Sequence, residues 1–327
     1  MTPPPPPPKQ PIATEAEAML GKVWHRVLEP DASRIVAEVW ALSADTRDAP
    51  KFPGPSPVSL EKRDLPGLRA RAAETYVCEK TDGVRYALVM VTYNGHRVAA
   101  LVNRRLAVWL CPLKGVPRAA YQGTVIDGEL AYNKRAKAHQ FVAFDAVCLS
   151  GIPVFHARFC QRVQWMRRVV EAMRPEPTDP IAVKVKQFVL ASDWAAVVLH
   201  AQKAAEFFDT DGLVFTPDAE PVRFGRHMKM HKWKRPDHHT IDFLVGHSDT
   251  LAVFNGANKG HAVVGRLVGG GAAPGQIAEC SLVGGDAWRS IGVRTDKNTA
   301  NDMFTYTKTM NNITENLDLD ALARCFL

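Results

Sequence analysis

The chain has 327 residues, 46% of them apolar and 23% charged, the proportions of an ordinary globular protein with length enough for two cores. No run of about 18 apolar residues occurs, which excludes a membrane-spanning helix, and the opening MTPPPPPPKQP lacks the apolar stretch of a signal peptide. Lys and Arg outnumber Asp and Glu by 41 to 34, a net charge of +7 that favours anionic partners such as nucleotides and RNA.

Residues 1–13 read as a disordered, proline-rich tail. Apolar residues at helical spacing then predict helices over Thr14–Leu28 and Asp31–Leu42, with Thr14 and Asp31 as caps. The segment from Phe52 to Val58, rich in Pro and Gly, forces an extended loop. From Tyr76 the period becomes two, giving strands at Ala87–Tyr93, Val98–Val102, Leu106–Leu110, Gly123–Ile126 and Phe141–Cys148. Helices follow at Cys160–Met173 and Asp193–Phe208, the second capped by Ser192, and Gly212–Thr216 is a further strand. The mixture predicts an α+β domain of antiparallel sheets with helices over 14–236.

Between Arg223 and His239 lie Arg223, Arg226, Lys229, Lys232, Lys234 and Arg235, with four histidines among them. Beyond Pro236, short strand-like runs separated by Gly-rich turns fill about 60 residues, which fits an OB-type β-barrel. With a helical tail from Asn312 this makes a second domain, 237–327. The six cysteines, Cys78, Cys111, Cys148, Cys160, Cys280 and Cys325, include no C-x-x-C pair and read as reduced, buried thiols in a reducing compartment.

The sharpest local feature is Glu79-Lys80-Thr81-Asp82-Gly83-Val84-Arg85, a lysine leaving a strand and held at a tight Asp-Gly turn. A free lysine is a poor nucleophile near neutrality, and cationic neighbours or desolvation are what activate it. Further elements follow in order. Asp127-Gly128-Glu129 ends a strand with both carboxylates on one face. Phe144-Asp145-Ala146 carries an aromatic able to stack on a base. Asp211-Gly212-Leu213 places a carboxylate at a strand start, Lys232-Trp233-Lys234 alternates two lysines on one face, and Arg294-Thr295-Asp296-Lys297 comes last. Singly, each has a plain reading as turn, core or surface.

In this order the motifs, with Asp242 beyond Lys234, resemble the covalent nucleotidyltransferase superfamily: GTP-dependent mRNA capping enzymes and ATP- or NAD-dependent ligases. The Phe52-Pro-Gly-Pro-Ser-Pro-Val segment, Arg294-x-Asp-Lys-x-x-x-Asn301 and the tail from Asn311 resemble the capping branch, most of all the small monofunctional enzymes of large DNA viruses. Ala300 departs from the proline usual before Asn301.

The resemblance implies that Lys80 attacks the α-phosphorus of GTP to form lysyl–GMP, which is then transferred to a 5′-diphosphate RNA. It implies ribose contacts from Arg85 and Glu129, stacking by Phe144, guanine reading by Lys186, and an α-phosphate grip by Lys232 and Lys234 joined by Arg104. Thr81 and Asp242 complete the GTP-contacting set. Asp211, with Glu129, would support Mg²⁺ or Mn²⁺, and Arg294, Asp296 and Lys297 would close over the outer phosphates. The resemblance also implies a monomer inside the cell, in nucleus or cytoplasm, working beside a separate RNA triphosphatase and cap methyltransferase. An ATP-dependent polynucleotide ligase using the same lysine and a non-catalytic RNA-binding homologue are the alternatives.

Overall fold

The computed structural model describes residues 24–42, 50–256, 260–295 and 297–326. Two compact units emerge. The larger spans the described parts of Ala18–Val58 and Pro66–Trp233, and the smaller joins Ser59–Leu65 to Lys234–Arg324.

In chain order the larger unit carries α1 (Asp31–Ala41), β1 (Pro55–Ser59), α2 (Leu65–Ala70), β2 (Thr75–Thr81), β3 (Val84–Tyr93), β4 (His96–Asn103) and β5 (Val108–Leu110). It continues with β6 (Thr124–Asn133), β7 (Ala138–Leu149), β8 (Ile152–Pro153), α3 (Phe159–Glu171), β9 (Ala182–Val185), β10 (Val189–Leu190), α4 (Trp194–Phe207), β11 (Thr210–Pro217) and β12 (Gly225–Lys234). Seven strands form one sheet in the order β5-β4-β3-β6-β7-β8, with β9 paired to β7 in parallel; five form the other as β1-β12-β11-β2-β10. The seven-stranded sheet is held by long registers: β3 pairs with β4 from Tyr86↔Asn103 to Tyr93↔His96, and β6 with β7 from Val125↔Cys148 to Asn133↔Ala138. Its strands alternate β-branched residues, and on one face Val89, Ala100, Val102, Val125 and Val147 pack against Ile35, Val36 and Val39 of α1. Each of these buried Val and Ile side chains is worth roughly 1.5–3 kcal/mol. Across the sheet Arg162 of α3 is buried with Asp145 in a bidentate pair, at 2.8 and 2.9 Å.

The smaller unit is a closed barrel ordered β13-β14-β15-β17-β16, built from β13 (Thr240–Val245), β14 (Thr250–Asn255), β15 (Gly260–Leu267), β16 (Ile277–Gly284) and β17 (Ala287–Val293). Closure leaves no free edge. Its core is Ile241, Phe243, Leu251, Val253, Ala278, Cys280 and Trp288, covered by Met303, Tyr306, Met310 and Ile313 of α5 (Met303–Glu315); α6 (Leu319–Phe326) follows. The Ser59–Leu65 segment belongs here because α5 holds it. Lys308 pairs with Glu61 at 3.0 Å, Asn311 reaches the same carboxylate, and Asn312 donates to the Leu60 carbonyl.

Several sequence expectations are corrected. Of the helix expected over Thr14–Leu28, residues 14–23 lie outside the described residues, and Trp24–Leu28 is not helical. Val27 N–H donates to the Val108 carbonyl at 2.9 Å and His25 accepts from Leu110 N–H at 3.0 Å. The unpaired rim of β5 offered backbone partners that outweighed helical spacing. Asp31 is the first residue of α1, not its cap, and takes the Tyr93 hydroxyl at 2.7 Å. Asp193, not Ser192, caps α4, accepting from Ala196 N–H at 3.1 Å. The helical tail starts earlier, at Met303, with Asp302 capping Thr305 N–H at 2.7 Å. Lys80 stands in β2 itself, opposite Gly212 of β11, and not in the turn after it. Asp127-Gly128-Glu129 lies in the middle of β6, where Gly128 is required: a Cβ there would collide with the Phe141 ring.

Candidate active site

Strand β2 presents its residues alternately to two sides. Lys80, half-buried, sends its Nζ to within 2.8 Å of Asp211 Oδ1 at the start of β11. Glu79 and Thr81 leave on the other side and are buried, at 4% and 1% exposure. Thr81 Oγ1 donates to Glu129 of β6, which ties the two sheets together beside the lysine.

Arg85 of β3 lies opposite Glu129 in register, yet its guanidinium is claimed by Asp127, through Nε at 2.8 Å and through Nη2. Burial works against this charge, and Asp127, Glu129 and Asp145 overcome it, so Arg85 is held firmly cationic. Burial also pushes the Asp127 carboxyl up to about 6; Arg85 pulls it down, while Asp145 and Glu129 add to the rise. The guanidinium carbon is 4.9 Å from the Phe52 ring centre and 5.4 Å from that of Phe144, cation–π distances for both rings. Gly54 passes directly over this pair. A Cβ there would fall 2.5 Å from Arg85 Nη2 and closer still to Asp127 Oδ2.

Lys186 follows β9, its N–H donating to the Ala143 carbonyl of β7 at 2.8 Å. Its ammonium is buried, donating to the Glu79 carbonyl at 3.0 Å and to Thr81 Oγ1 at 2.8 Å. Glu79 Oε1 is 3.6 Å away and Glu129 Oε2 is 3.9 Å away, and the Phe144 ring centre is 5.8 Å from Nζ. Burial opposes the charge on Lys186, but Glu79 leads the carboxylates that raise its pKa overall. Burial likewise opposes the charge on Glu79, which Lys186 and His200 of α4 hold below the usual carboxylate range. His200 Nε2 donates to Glu79 Oε2 at 2.7 Å.

Lys80, Asp211 and the Lys232-Trp233-Lys234 run lie on three adjacent strands, β2, β11 and β12, with Trp233 buried between two half-buried lysines. Arg104 sits in the turn between β4 and β5 with Nη2 3.5 Å from Ser56 Oγ. The barrel residues form a cluster of their own. Asp242, buried, takes Arg294 Nη1 at 3.1 Å and Lys297 Nζ, while Arg294 also lies 3.6 Å from Glu279. Asn301 accepts from Asp242 N–H at 2.8 Å and so fixes the carboxylate's strand. Asp296 lies outside the described residues.

The structure therefore gathers Lys80, Thr81, Arg85, Glu129, Phe144, Lys186 and Asp211 on neighbouring strands. It adds four participants that the sequence reading left without a role: Phe52, Gly54, Glu79 and His200. Two had a visible signal. Glu79 is a carboxylate inside an apolar strand, and His200 interrupts the apolar stretch Ala195-Ala-Val-Val-Leu; buried charges of this kind imply a partner. The contacts of Phe52 and Gly54 depend on tertiary approach and had none.

Residues 14–236 match the family described as mRNA capping enzyme, catalytic domain, and residues 227–323 match mRNA capping enzyme, C-terminal domain. Among curated proteins, the chain is 29% identical over 230 residues to the mRNA-capping enzyme subunit alpha of Neurospora crassa, covering 59% of this chain and 53% of that one. It is 23% identical over 337 residues to the subunit of the same name in Schizosaccharomyces pombe, covering 88% and 82%. The chain thus spans about half the length of the Neurospora relative. Among solved structures, a mycobacterial DNA ligase D complexed with ATP and MES aligns with TM-score 0.43 and 16% identity over 74% of this chain and 94% of that one. Both family matches fall on the described sheets and barrel, and together they span nearly all of the chain: it belongs to the mRNA capping enzyme family.

Proposed function

We propose that this chain is an mRNA guanylyltransferase in which Lys80 carries GMP. The observation that carries the reading is the placement of Lys80, paired to Asp211 and only partly exposed, on the strand whose neighbours Glu79 and Thr81 hold Lys186 near Phe144. The nucleophile and the cation beside an aromatic ring are thus fixed by consecutive residues of one strand, β2.

In the first step Lys80 gives one ammonium proton to Asp211 and, as the free amine, attacks the α-phosphorus in line; the proton it sheds on bonding to phosphorus leaves with pyrophosphate. A Nζ–P bond forms and the bond to the pyrophosphate oxygen breaks. In the second, a terminal phosphate oxygen of 5′-diphosphate RNA displaces Lys80 and yields the GpppN end. Phe144 stacks on the base and Lys186 donates to guanine O6. Glu129 and Arg85 hold the ribose, while Lys232, Lys234 and Arg104 neutralise the α-phosphate. Such positioning and charge neutralisation supply most of the catalysis in phosphoryl transfer. Arg294, Asp296 and Lys297 are assigned to the outer phosphates, for which Arg294 and Lys297 must loosen their hold on Asp242.

A divalent cation fits this reading in part. Among the described residues no group of three or more His, Cys, Asp or Glu side chains forms a metal nest. Asp211, with Glu129 as the second candidate, would hold Mg²⁺ or Mn²⁺ together with phosphate oxygens, the way Mg²⁺ is commonly bound; the ion would offset charge on the leaving pyrophosphate. The reading, like the resemblance to small viral enzymes, leaves removal of the RNA γ-phosphate and cap methylation to other active sites.

The test is incubation with a divalent cation and GTP or ATP labelled at the α-phosphate, followed by denaturation. Label from GTP that pyrophosphate removes and Lys80→Ala abolishes is the expected result. Label from ATP alone would make the chain a ligase-type adenylyltransferase, and retention of label in Lys80→Ala would refute the nucleophile.

A further inference from the structure

We propose that His200 is a positioning residue for guanine selection: by holding the Glu79 carboxylate it keeps one N–H of Lys186 available to the base. The inference rests on the reading of Lys186 as the group that meets guanine O6.

An ammonium has three donors. Lys186 spends two of them on the Glu79 carbonyl at 3.0 Å and Thr81 Oγ1 at 2.8 Å. The remaining acceptors around it are Glu79 Oε1 at 3.6 Å and Glu129 Oε2 at 3.9 Å, both beyond hydrogen-bond range. Each of those carboxylates is restrained by something else. Glu129 accepts from Thr81, and Glu79 accepts from His200 at 2.7 Å. The third N–H of Lys186 is thereby left over, on an ammonium 5.8 Å from the centre of the Phe144 ring. A base stacked on that ring brings its edge within reach of it. An oxygen at C6 accepts this N–H, whereas an amino group there presents a donor to a donor.

His200 is the element of this arrangement that touches no nucleotide. It lies on α4, and its Nε2 must carry the proton because its partner is an ionised carboxylate, an acceptor only. Without His200 the buried Glu79 carboxylate loses its side-chain donor, a loss that costs more than the bond itself. The nearest cation is Lys186, and a side-chain rotation of a few tenths of an ångström closes the 3.6 Å gap. The third N–H would then be consumed by Glu79.

The experiment measures enzyme–nucleotide formation at varied GTP and at varied 2-aminopurine ribonucleoside triphosphate, which resembles GTP but lacks O6. In His200→Ala the KM for GTP should rise about tenfold, the value of one hydrogen bond to a charged group, with kcat within about twofold. The KM for the analogue should stay unchanged, and His200→Gln, which keeps a donor, should restore the GTP value. Equal rises for both nucleotides, or a fall in melting temperature with both KM values intact, would assign His200 a packing role and overturn the inference. Lys186→Ala, run in parallel, separates the two claims. Should it retain the preference for GTP over the analogue, the O6 reading itself fails; should it erase the preference while His200→Ala does not, the His200 inference alone fails.

Discussion

The sheet-borne site and the barrel arrange their charges on opposite plans. In the sheets four cations are each matched to a carboxylate: Lys80 to Asp211, Arg85 to Asp127, Lys186 to Glu79, and Arg162 to Asp145. In the barrel the buried Asp242 is shared by two cations, Arg294 and Lys297, which are 21% and 34% exposed, with Glu279 3.6 Å from Arg294 as a second carboxylate. The first plan fixes side chains in a compensated setting of low dielectric, where pairing offsets the cost of desolvation. The second leaves its cations near solvent, where a phosphate can compete with the carboxylates for them at little cost. Fixed and exchangeable ion pairing are thus divided between two regions of one chain.

The comparison can be broken at Gly54, where the fixed plan has least slack. Gly54→Ala drives a methyl into the Arg85–Asp127 pair and should lower the rate of label attachment roughly 10²-fold, the usual loss for a misplacement near 1 Å. A loss under about twofold would mean that this pair is not rigid. A smaller effect is expected at Asp242. Asp242→Asn should cost roughly 1.5–3 kcal/mol, the value of hydrogen bonds to charged groups, in urea unfolding followed through Trp288 in the barrel core. Because the cations it releases are partly exposed, that cost should shrink in high salt; a salt-independent cost would place the cluster on the same plan as Arg85–Asp127. The smallest effect concerns pH. The folded state keeps the Asp127 proton up to about pH 6, whereas an unfolded chain releases it near pH 4. Stability from this group is therefore full at low pH and is lost as pH rises from about 4 to about 6. Comparing the pH slope of the melting temperature with that of Asp127→Asn checks this, and identical slopes would assign the titration elsewhere.

Much of the architecture was legible because strand cores announce themselves by period. The expected strands at Ala87–Tyr93 and Val98–Val102 fall within β3 and β4, and the short runs expected beyond Pro236 form the barrel strands. What the pattern missed was set by partners far away in sequence. Trp24–Leu28 is extended because β5 has a rim to fill, and the early start of β3 at Val84 follows from its pairing with Leu130. Caps misassigned by one residue, Asp31 and Ser192, reflect the weak local preference among short polar side chains. The site was legible as an ordered set of motifs from Lys80 to Lys297. Their second layer was not, since the His200–Glu79 contact joins residues 121 positions apart with no local signature.

The seven residues Ser59–Leu65 have a consequence for biosynthesis. They leave the ribosome early, yet the partners that hold them, Lys308, Asn311, Asn312 and Glu315, lie some 250 positions downstream. Closing so long a loop is costly while the intervening chain is unstructured and far less so once Pro66–Trp233 has folded and drawn its ends together. The order of translation therefore favours completing the catalytic sheets first and sealing the barrel unit last. A chain ending before α5 would strip Glu61 of Lys308 and Asn311 and leave it the ion pair with its neighbour Arg63, so the segment would lack most of what anchors it until the last helices are made.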